Sequence, residues 1–148
     1  MIDTIQAANG CKIGHAFYFP IRVYFEDTDT GGIVYYANYL KFAERARTEF
    51  LRYNGINQQQ IFIENQTGFV VRSCNIEYLS SAFLDDCLTV SCEISELTAA
   101  SAVIKQEIYR EKTLLASLKV KVIFMNINKH KPTKIPPEFV AKFSAFLS

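Results

Sequence analysis

The chain has 148 residues, of which 49% are hydrophobic and 21% charged, and its formal net charge is +1 at pH 7. This length and balance predict one globular domain with a sizeable core rather than a disordered chain. A nearly neutral charge without a basic run gives no electrostatic indication of nucleic-acid binding. We expect no membrane span and no secretory signal, because the apolar stretches are short and residues 1–4 lack a basic start. The sequence therefore favours a cytoplasmic location.

The cysteines and histidines give no indication of a disulfide framework, a metal site or a redox cofactor. Cys11, Cys74, Cys87 and Cys92 form no Cys-x-x-Cys pair and have no histidine at zinc-ligand spacing. Cys74 and Cys92 lie in strand-like runs, so we expect them to be buried free thiols. The two histidines lie in the lead-in and in the C-terminal loop, where neither forms a convincing pair with a nucleophile.

The first half of the chain predicts a strand followed by a long helix. Residues 1–15 are expected to form a loose lead-in to a single domain at 16–148, and the aromatic and β-branched run 17–25 predicts a strand. Gly31 and Gly32 break this run. From Tyr39 onwards, apolar residues recur every three or four positions, which predicts a helix with one buried face that stops at Gly55. Residues 56–65 predict another helical turn or two.

The second half predicts a β-sheet and a short C-terminal helix. Four strand-like runs lie at 69–79, 87–97, 101–110 and 114–126, and their short connections predict an antiparallel meander. Pro136-Pro137 opens a helical pattern at 138–147. The order predicts an α+β fold, a five-stranded antiparallel sheet wrapped around one long central helix. Because one helix cannot cover both faces of such a sheet, we expect the chain to pair with a second copy.

The segment 24–51 carries the most specific pattern, YFEDTDTGGIVYYANYLKFAERARTEFL. It places a carboxylate beside a helix N-terminus, where free N–H groups and the positive end of the helix dipole gather. Such a site suits an enzyme that attacks a carbonyl group and holds the resulting oxyanion. The segment resembles the hotdog-fold acyl-CoA thioesterases, within the 4-hydroxybenzoyl-CoA thioesterase family and nearest its Tol-Pal-associated (YbgC-like) subgroup. Residues 69–73 and 84–86 add weaker support, and the resemblance covers roughly residues 18 to 140.

The resemblance implies a hotdog fold that hydrolyses acyl-CoA thioesters, with Asp29 as the catalytic carboxylate. Asp29 would act as the nucleophile or as a general base that activates water. The resemblance also implies that the backbone N–H of Tyr36, where many members of the subgroup have a histidine, binds the oxyanion. The alternative for Asp29 is a turn or N-cap residue. Asp27 and Asp29 together match part of a Mg²⁺ site, but no third ligand is evident, and we expect Asp27 to be structural.

Further site residues follow from the same resemblance. Asn38 and Tyr39 are candidates for substrate contact, with a helix cap as the alternative for Asn38. Arg72, Lys131 and Lys134 are candidates for binding the phosphates of CoA, with ordinary surface charge as the alternative for each. The carrier of the acyl group is CoA or acyl carrier protein, and the expected assembly is a homodimer or homotetramer with a site shared between subunits. The rival interpretation is a non-catalytic acyl- or CoA-binding or scaffold module associated with the cell envelope. A hotdog dehydratase would need a histidine near the helix, and none lies there.

Overall fold

The computed structural model describes residues 9–148, so the lead-in prediction for residues 1–8 lies outside the described residues. The strands are β1 (Cys11–Ile13), β2 (Ala16–Arg22), β3 (Thr67–Tyr78), β4 (Cys87–Leu97), β5 (Ser101–Arg110), β6 (Thr113–Asn126) and β7 (Lys131–Pro132). The helices are α1 (Asn38–Tyr53), α2 (Gln58–Asn65) and α3 (Pro137–Ser144), and a 3₁₀ turn covers Phe25–Asp27. No helix among residues 9–148 is long and apolar enough to cross a membrane.

The sheet is antiparallel throughout, in the order β1-β2-β4-β5-β6-β3, with β7 pairing with the end of β6. The predicted α+β class and the long central helix are confirmed. The sheet has two short strands beyond the five predicted, and β1 falls within the stretch that was predicted to be a loose lead-in. The expected four-strand meander is wrong for β3. Because β2 and β5 occupy both edges of β4, β3 pairs with the free edge of β6 and ends the sheet.

Helix α1 lies against the sheet through one apolar face, as its spacing predicts. Phe42, Ala43 and Ala46 are completely buried, and Phe50 is 1% exposed. Burying a phenylalanine side chain contributes about 1.5–3 kcal/mol, so this face stabilises the position of the helix on the sheet. The Phe143 ring of α3 stacks on Phe50, with 5.8 Å between centroids and 19° between ring planes. The sheet and the C-terminal helix therefore hold α1 from two sides.

Helix α1 also ends as predicted. Gly55 follows with a φ of +77°, a left-handed conformation that glycine adopts without strain. The Lys142 ammonium group donates a 2.6 Å hydrogen bond to the Asn54 carbonyl at this end. The cation thus satisfies a terminal carbonyl and interacts favourably with the negative end of the helix dipole.

Two other expectations need correction. Strand β2 ends at Arg22 rather than at residue 25, because the Asp27 carboxylate accepts a 2.8 Å hydrogen bond from the Tyr24 N–H and closes the 3₁₀ turn. Cys92 is buried as expected, whereas Cys74 is exposed because it lies on the edge strand β3.

Candidate active site

Two loops form the site, and backbone hydrogen bonds join them. We call residues 28–36 the acid loop and residues 79–86 the facing loop. Within the acid loop, the Asp29 N–H donates to the Ile33 carbonyl at 2.9 Å. The Val34 N–H donates to the Ala82 carbonyl of the facing loop, also at 2.9 Å, and Ile33 and Phe83 form an antiparallel bridge. The position of Asp29 therefore depends on the facing loop as well as on its own turn.

Asp29 occupies the turn that the alternative interpretation expected. Its Oδ1 accepts a 2.8 Å hydrogen bond from the Gly31 N–H, and its carbonyl accepts one of 3.1 Å from Gly32. Gly32 has a φ of +78°, which the turn requires and which favours glycine. The other carboxylate oxygen, Oδ2, accepts no hydrogen bond from residues 9–148. A turn role and a chemical role are therefore compatible, because the turn uses one oxygen and leaves the other open.

Within residues 9–148, two backbone donors at the start of α1 are unused. The N–H groups of Asn38 and Tyr39 donate to the carbonyls of Tyr35 and Tyr36, at 2.8 and 3.3 Å. Within residues 9–148, the N–H groups of Tyr36 and Ala37 have no acceptor. No acidic residue lies in the first turn of α1. Unpaired donors at the positive end of a helix suit a developing negative charge.

Asp29 and Tyr36 line the same open cavity, of about 400 Å³. The cavity wall is mostly aromatic and hydroxylated, and its other residues are Ile33, Val34, Tyr35, Tyr39, Tyr78, Leu79, Ser80 and Ser81. The Tyr36 and Tyr78 rings meet edge to face at 5.9 Å. Partial burial, together with the neighbouring hydroxyl of Tyr36, raises the pKa of Tyr78 above its ordinary value. Tyrosine hydroxyls are protonated at neutral pH in any case, so this one can donate a hydrogen bond.

The structure changes the expectations for Asn38 and Tyr39. The N-cap of α1 is Ala37, so Asn38 is not the cap, and its side-chain N–H donates to the Asp27 carbonyl at 2.8 Å. The Tyr39 side chain is 3% exposed, and its hydroxyl accepts a 2.9 Å hydrogen bond from the Ala82 N–H. Asn38 therefore fixes the helix start to the 3₁₀ turn, and Tyr39 fixes the facing loop. Of the two, only Tyr39 lines the cavity.

Asp27 has the contacts of a structural residue. It is 5% exposed, its carboxylate holds the Tyr24 N–H, and its carbonyl accepts hydrogen bonds from Tyr35 and Asn38. Among residues 9–148, no group of three His, Cys, Asp or Glu side chains is arranged to hold a metal ion. Within residues 9–148, Asp27 and Asp29 therefore belong to no such group of metal ligands.

The three basic candidates do not line this cavity in the single chain. Arg72 is exposed at a bulge in the middle of β3. Lys131 pairs with Asn126, which in turn pairs with Thr67 at the start of β3, whereas Tyr78 at the cavity is the last residue of that strand. A 12-residue strand is about 36 Å long at ~3.3 Å per residue. Lys131, and Lys134 just beyond it, therefore lie at the opposite end of the strand from Asp29.

A second, smaller cavity of about 120 Å³ lies between α1 and the sheet. Its lining is mainly apolar and includes neither Asp29 nor Tyr36. The Arg47 guanidinium reaches it and donates a 3.0 Å hydrogen bond to Gln106, and burial lowers the pKa of Arg47. We place the candidate site at the larger cavity because Asp29, with its open carboxylate oxygen, and Tyr36, with its unused N–H, both line it.

The family model described as "Thioesterase-like superfamily" matches residues 23–143 of the chain. The chain belongs to the thioesterase-like superfamily. The acyl-CoA thioesterase YbgC of Haemophilus influenzae is 44% identical over 131 residues, which are 88% of this chain and 96% of that protein. The acyl-CoA thioester hydrolase YbgC of Escherichia coli is 44% identical over 128 residues, 86% of this chain and 95% of that protein. A crystal structure of a probable thioesterase from Bartonella henselae matches with a TM-score of 0.77 at 37% identity, over 80% of this chain and 98% of that one.

These matches confirm the resemblance that was drawn from residues 18 to 140. They also confirm the two properties that it implied, a hotdog fold and the enzyme class of thioester hydrolases. In the sequence, residues 84–86 of the facing loop gave weak support for the family, but no pattern predicted a site role for residues 79–83, Tyr35 or Tyr78. A polar pair, Ser80-Ser81, follows the strand end at Tyr78 after one residue, and this position at the end of a strand is the signal that would have indicated a site wall.

Proposed function

We propose that this member of the thioesterase-like superfamily hydrolyses acyl-CoA thioesters, with Asp29 as the catalytic carboxylate. The observation that carries the proposal is that Asp29 and Tyr36 line one cavity. Within residues 9–148, Asp29 Oδ2 accepts no hydrogen bond and the Tyr36 N–H has no acceptor. The relatives named acyl-CoA thioesterase and acyl-CoA thioester hydrolase support the choice of substrate class.

One route uses Asp29 as a general base. The carboxylate takes a proton from water while the water oxygen bonds to the thioester carbonyl carbon. The carbonyl oxygen becomes an oxyanion that accepts hydrogen bonds from the N–H groups of Tyr36 and Ala37. Collapse of this intermediate breaks the C–S bond, and the CoA thiolate leaves and then takes up a proton. The products are the free acid and CoA.

The other route uses Asp29 as a nucleophile. A carboxylate oxygen bonds to the carbonyl carbon, the C–S bond breaks, and an anhydride forms between Asp29 and the acyl group. The CoA thiolate leaves and takes up a proton. Water then hydrolyses this anhydride and restores the carboxylate. Both routes place negative charge on the same oxygen, so they share the same donors.

The test is release of free thiol from a panel of short-chain, long-chain and aromatic acyl-CoAs, with wild type compared with Asp29→Asn. We expect turnover by wild type and a loss of at least a hundredfold in kcat for the variant. Asp85→Asn is the matched control, because Asp85 is exposed in the facing loop and its φ of +71° is one that asparagine tolerates. Turnover that Asp29→Asn leaves unchanged would overturn the role of Asp29.

We also propose that two or four copies assemble and complete the site at their interface. Strand β3 is a 12-residue edge strand, and among residues 9–148 no strand covers its outer edge. Val71 and Tyr78 of this strand are 48% and 44% exposed. Long uncovered edges favour pairing with another chain. Light scattering measures the mass in solution, and a monomer at micromolar concentration would contradict this proposal.

Such pairing would give the basic candidates a role. Two β3 strands pairing antiparallel bring the start of one beside the end of the other. Lys131 and Lys134 of one subunit would then approach the cavity of the other, where they suit the phosphates of CoA. Replacing both with glutamine is expected to raise KM for acyl-CoA with little change in kcat, and an unchanged KM would leave them as ordinary surface charge.

The rival proposal is a non-catalytic acyl- or CoA-binding or scaffold module associated with the cell envelope. It keeps the fold and cavity but does not need Asp29. Absence of turnover on every acyl-CoA and acyl carrier protein thioester, together with measurable CoA binding, would favour it. The cytoplasmic location and the association with the Tol-Pal system stay predictions from the sequence.

A further inference from the structure

An arginine at the end of β5 holds the facing loop in place. A single nitrogen of Arg110, Nη1, donates to the Ser81 carbonyl at 2.9 Å and to Asp86 Oδ2 at 2.8 Å. The same Asp86 oxygen accepts a 2.8 Å hydrogen bond from the Phe83 N–H. The Arg110 guanidinium also lies 5.4 Å from the centre of the Phe83 ring. Arg110 thus joins Ser81 to Asp86 across the facing loop, and Asp86 also holds the Phe83 N–H between them.

Direct hydrogen bonds lead from this pair to the acid loop. Arg110 holds the Ser81 carbonyl, and the next residue, Ala82, accepts the Val34 N–H through its own carbonyl. Ile33 precedes Val34, and its carbonyl accepts the Asp29 N–H. The guanidinium and the proposed catalytic residue are therefore joined by three hydrogen bonds and by peptide bonds between neighbouring residues.

We propose that Arg110 and Asp86 are positioning residues that set the geometry of Asp29 through the facing loop. This inference rests on the proposed thioesterase function and goes beyond it, because neither side chain lines the cavity or touches the reacting atoms. The two side chains are 29% and 21% exposed, and a partly exposed ion pair of this kind adds little to global stability. Its main effect is local, on a loop that contributes Ser80 and Ser81 to the cavity wall.

The geometry argument predicts an effect on kcat rather than on substrate binding. A displacement of a catalytic group by about 1 Å costs on the order of a hundredfold in rate. Arg110→Gln removes the charge and the dual donation, so we expect kcat to fall about 10- to 100-fold with KM changed less than threefold. Asp86→Asn keeps an acceptor for the Phe83 N–H but removes the charge, and we expect a smaller loss in kcat.

The experiment measures kcat, KM and Tm for wild type, Arg110→Gln, Asp86→Asn and the double variant, all assayed well below their Tm. Arg52→Gln is the matched control, because the exposed Arg52 pairs with Glu49 on α1, away from the facing loop. For this control we expect less than a twofold change in kcat. The kcat of the double variant is expected to equal that of Arg110→Gln, since both changes disrupt the same Arg110–Asp86 ion pair.

Chemical rescue separates positioning from general structural damage. The Arg110 side chain is partly exposed, so added guanidinium ion at millimolar concentration can enter the space left in Arg110→Ala. We expect it to restore part of kcat without a matching change in Tm. An Arg110→Gln variant with wild-type kcat, or a loss of kcat that only follows a fall in Tm and resists rescue, would overturn the inference. Absence of turnover by wild type would instead overturn the proposed function. If Asp29→Asn lowers kcat and Arg110→Gln does not, only this inference is overturned.

Discussion

Replacing Tyr36 with proline removes the proposed oxyanion donor itself, because proline has no N–H. The substitution fits the backbone. Tyr36 is the second residue of a four-residue turn that the Asn38 N–H closes by donating to the Tyr35 carbonyl. Ala37, the third residue, has a φ of −66° and a ψ of −21°. Proline is favoured at the second position of such a turn, and the N–H that it removes has no acceptor among residues 9–148.

The expected magnitude follows from what is lost. Removing one oxyanion donor typically costs about 2.7–4 kcal/mol of transition-state stabilisation, or 10²–10³ in kcat. The side chain contributes less, since Tyr36 is 60% exposed and its main packing is with the rings of Tyr35 and Tyr78, at 5.0 and 5.9 Å. Aromatic pairs of this kind contribute about 0.5–1.5 kcal/mol each when well packed. We therefore expect a large change in kcat with a modest change in the free energy of unfolding.

The assay is thiol release by wild type, Tyr36→Pro, Tyr36→Ala and Tyr36→Phe, with Tm measured for each. Tyr36→Ala keeps the N–H and removes the ring, and Tyr36→Phe removes only the hydroxyl. We expect kcat to fall about 10²–10³-fold for proline and less than tenfold for alanine and phenylalanine. Equal losses for proline and alanine would refute the backbone role, and a large loss for phenylalanine would assign the chemistry to the hydroxyl.

Two further predictions concern buried polar groups. Tyr39→Phe leaves the N–H of the fully buried Ala82 without its acceptor, so we expect a loss of about 1–3 kcal/mol in the free energy of unfolding. In urea titrations the half-exposed Tyr53→Phe should match wild type, and a Tyr39→Phe as stable as wild type would contradict the structural role. Burial raises the pKa of Cys92 from its ordinary value of 9.0 to about 12. Below pH 9 this thiol should not affect the stability of wild type. Between pH 9 and 12 the thiol ionises only in the unfolded chain, so the free energy of unfolding should fall by about 1.4 kcal/mol per pH unit. By pH 10.5 the free energy of unfolding of wild type should have fallen by roughly 2 kcal/mol more than that of Cys92→Ser. Cys87 is exposed, so Cys87→Ser should follow wild type. Equal pH slopes for all three proteins would contradict the prediction.

The sequence predicts an element of the fold correctly where a periodic apolar pattern packs against a single surface. Helix α1 is the clearest case, because its buried face and its stop at Gly55 are both local properties of the chain. The pairing partner of β3 is not a local property. It depends on β2 occupying the other edge of β4, a contact between residues more than sixty positions apart. Alternation within a strand predicts which face is buried but not which edge pairs.

The sequence likewise predicts the parts of the site that lie within one short segment, but not the contacts between distant segments. The turn at Asp29 and the free donors at the start of α1 follow from a short segment with acid residues and a glycine pair. The contacts of Tyr39 and Arg110 with the facing loop join residues that are 43 and 29 positions apart. The substrate contact predicted for Tyr39 from the sequence stays a prediction, and the hydrogen bond from the Ala82 N–H to its hydroxyl is visible only in the fold.

The proposed oxyanion donors are backbone groups, so their geometry depends on how the rest of the fold holds the start of α1. The identity of the side chain at Tyr36 is free to shape the cavity, since the N–H is present with any residue except proline. The direction of that N–H relative to Asp29 is not free, and we infer that side-chain hydrogen bonds to the neighbouring turn and loop set it. Asn38 fixes the start of α1 to the Asp27 carbonyl, and Tyr39 with Arg110 fixes the facing loop against which the acid loop pairs. Activity in this chain should therefore be more sensitive to these hydrogen bonds than to the ring at Tyr36.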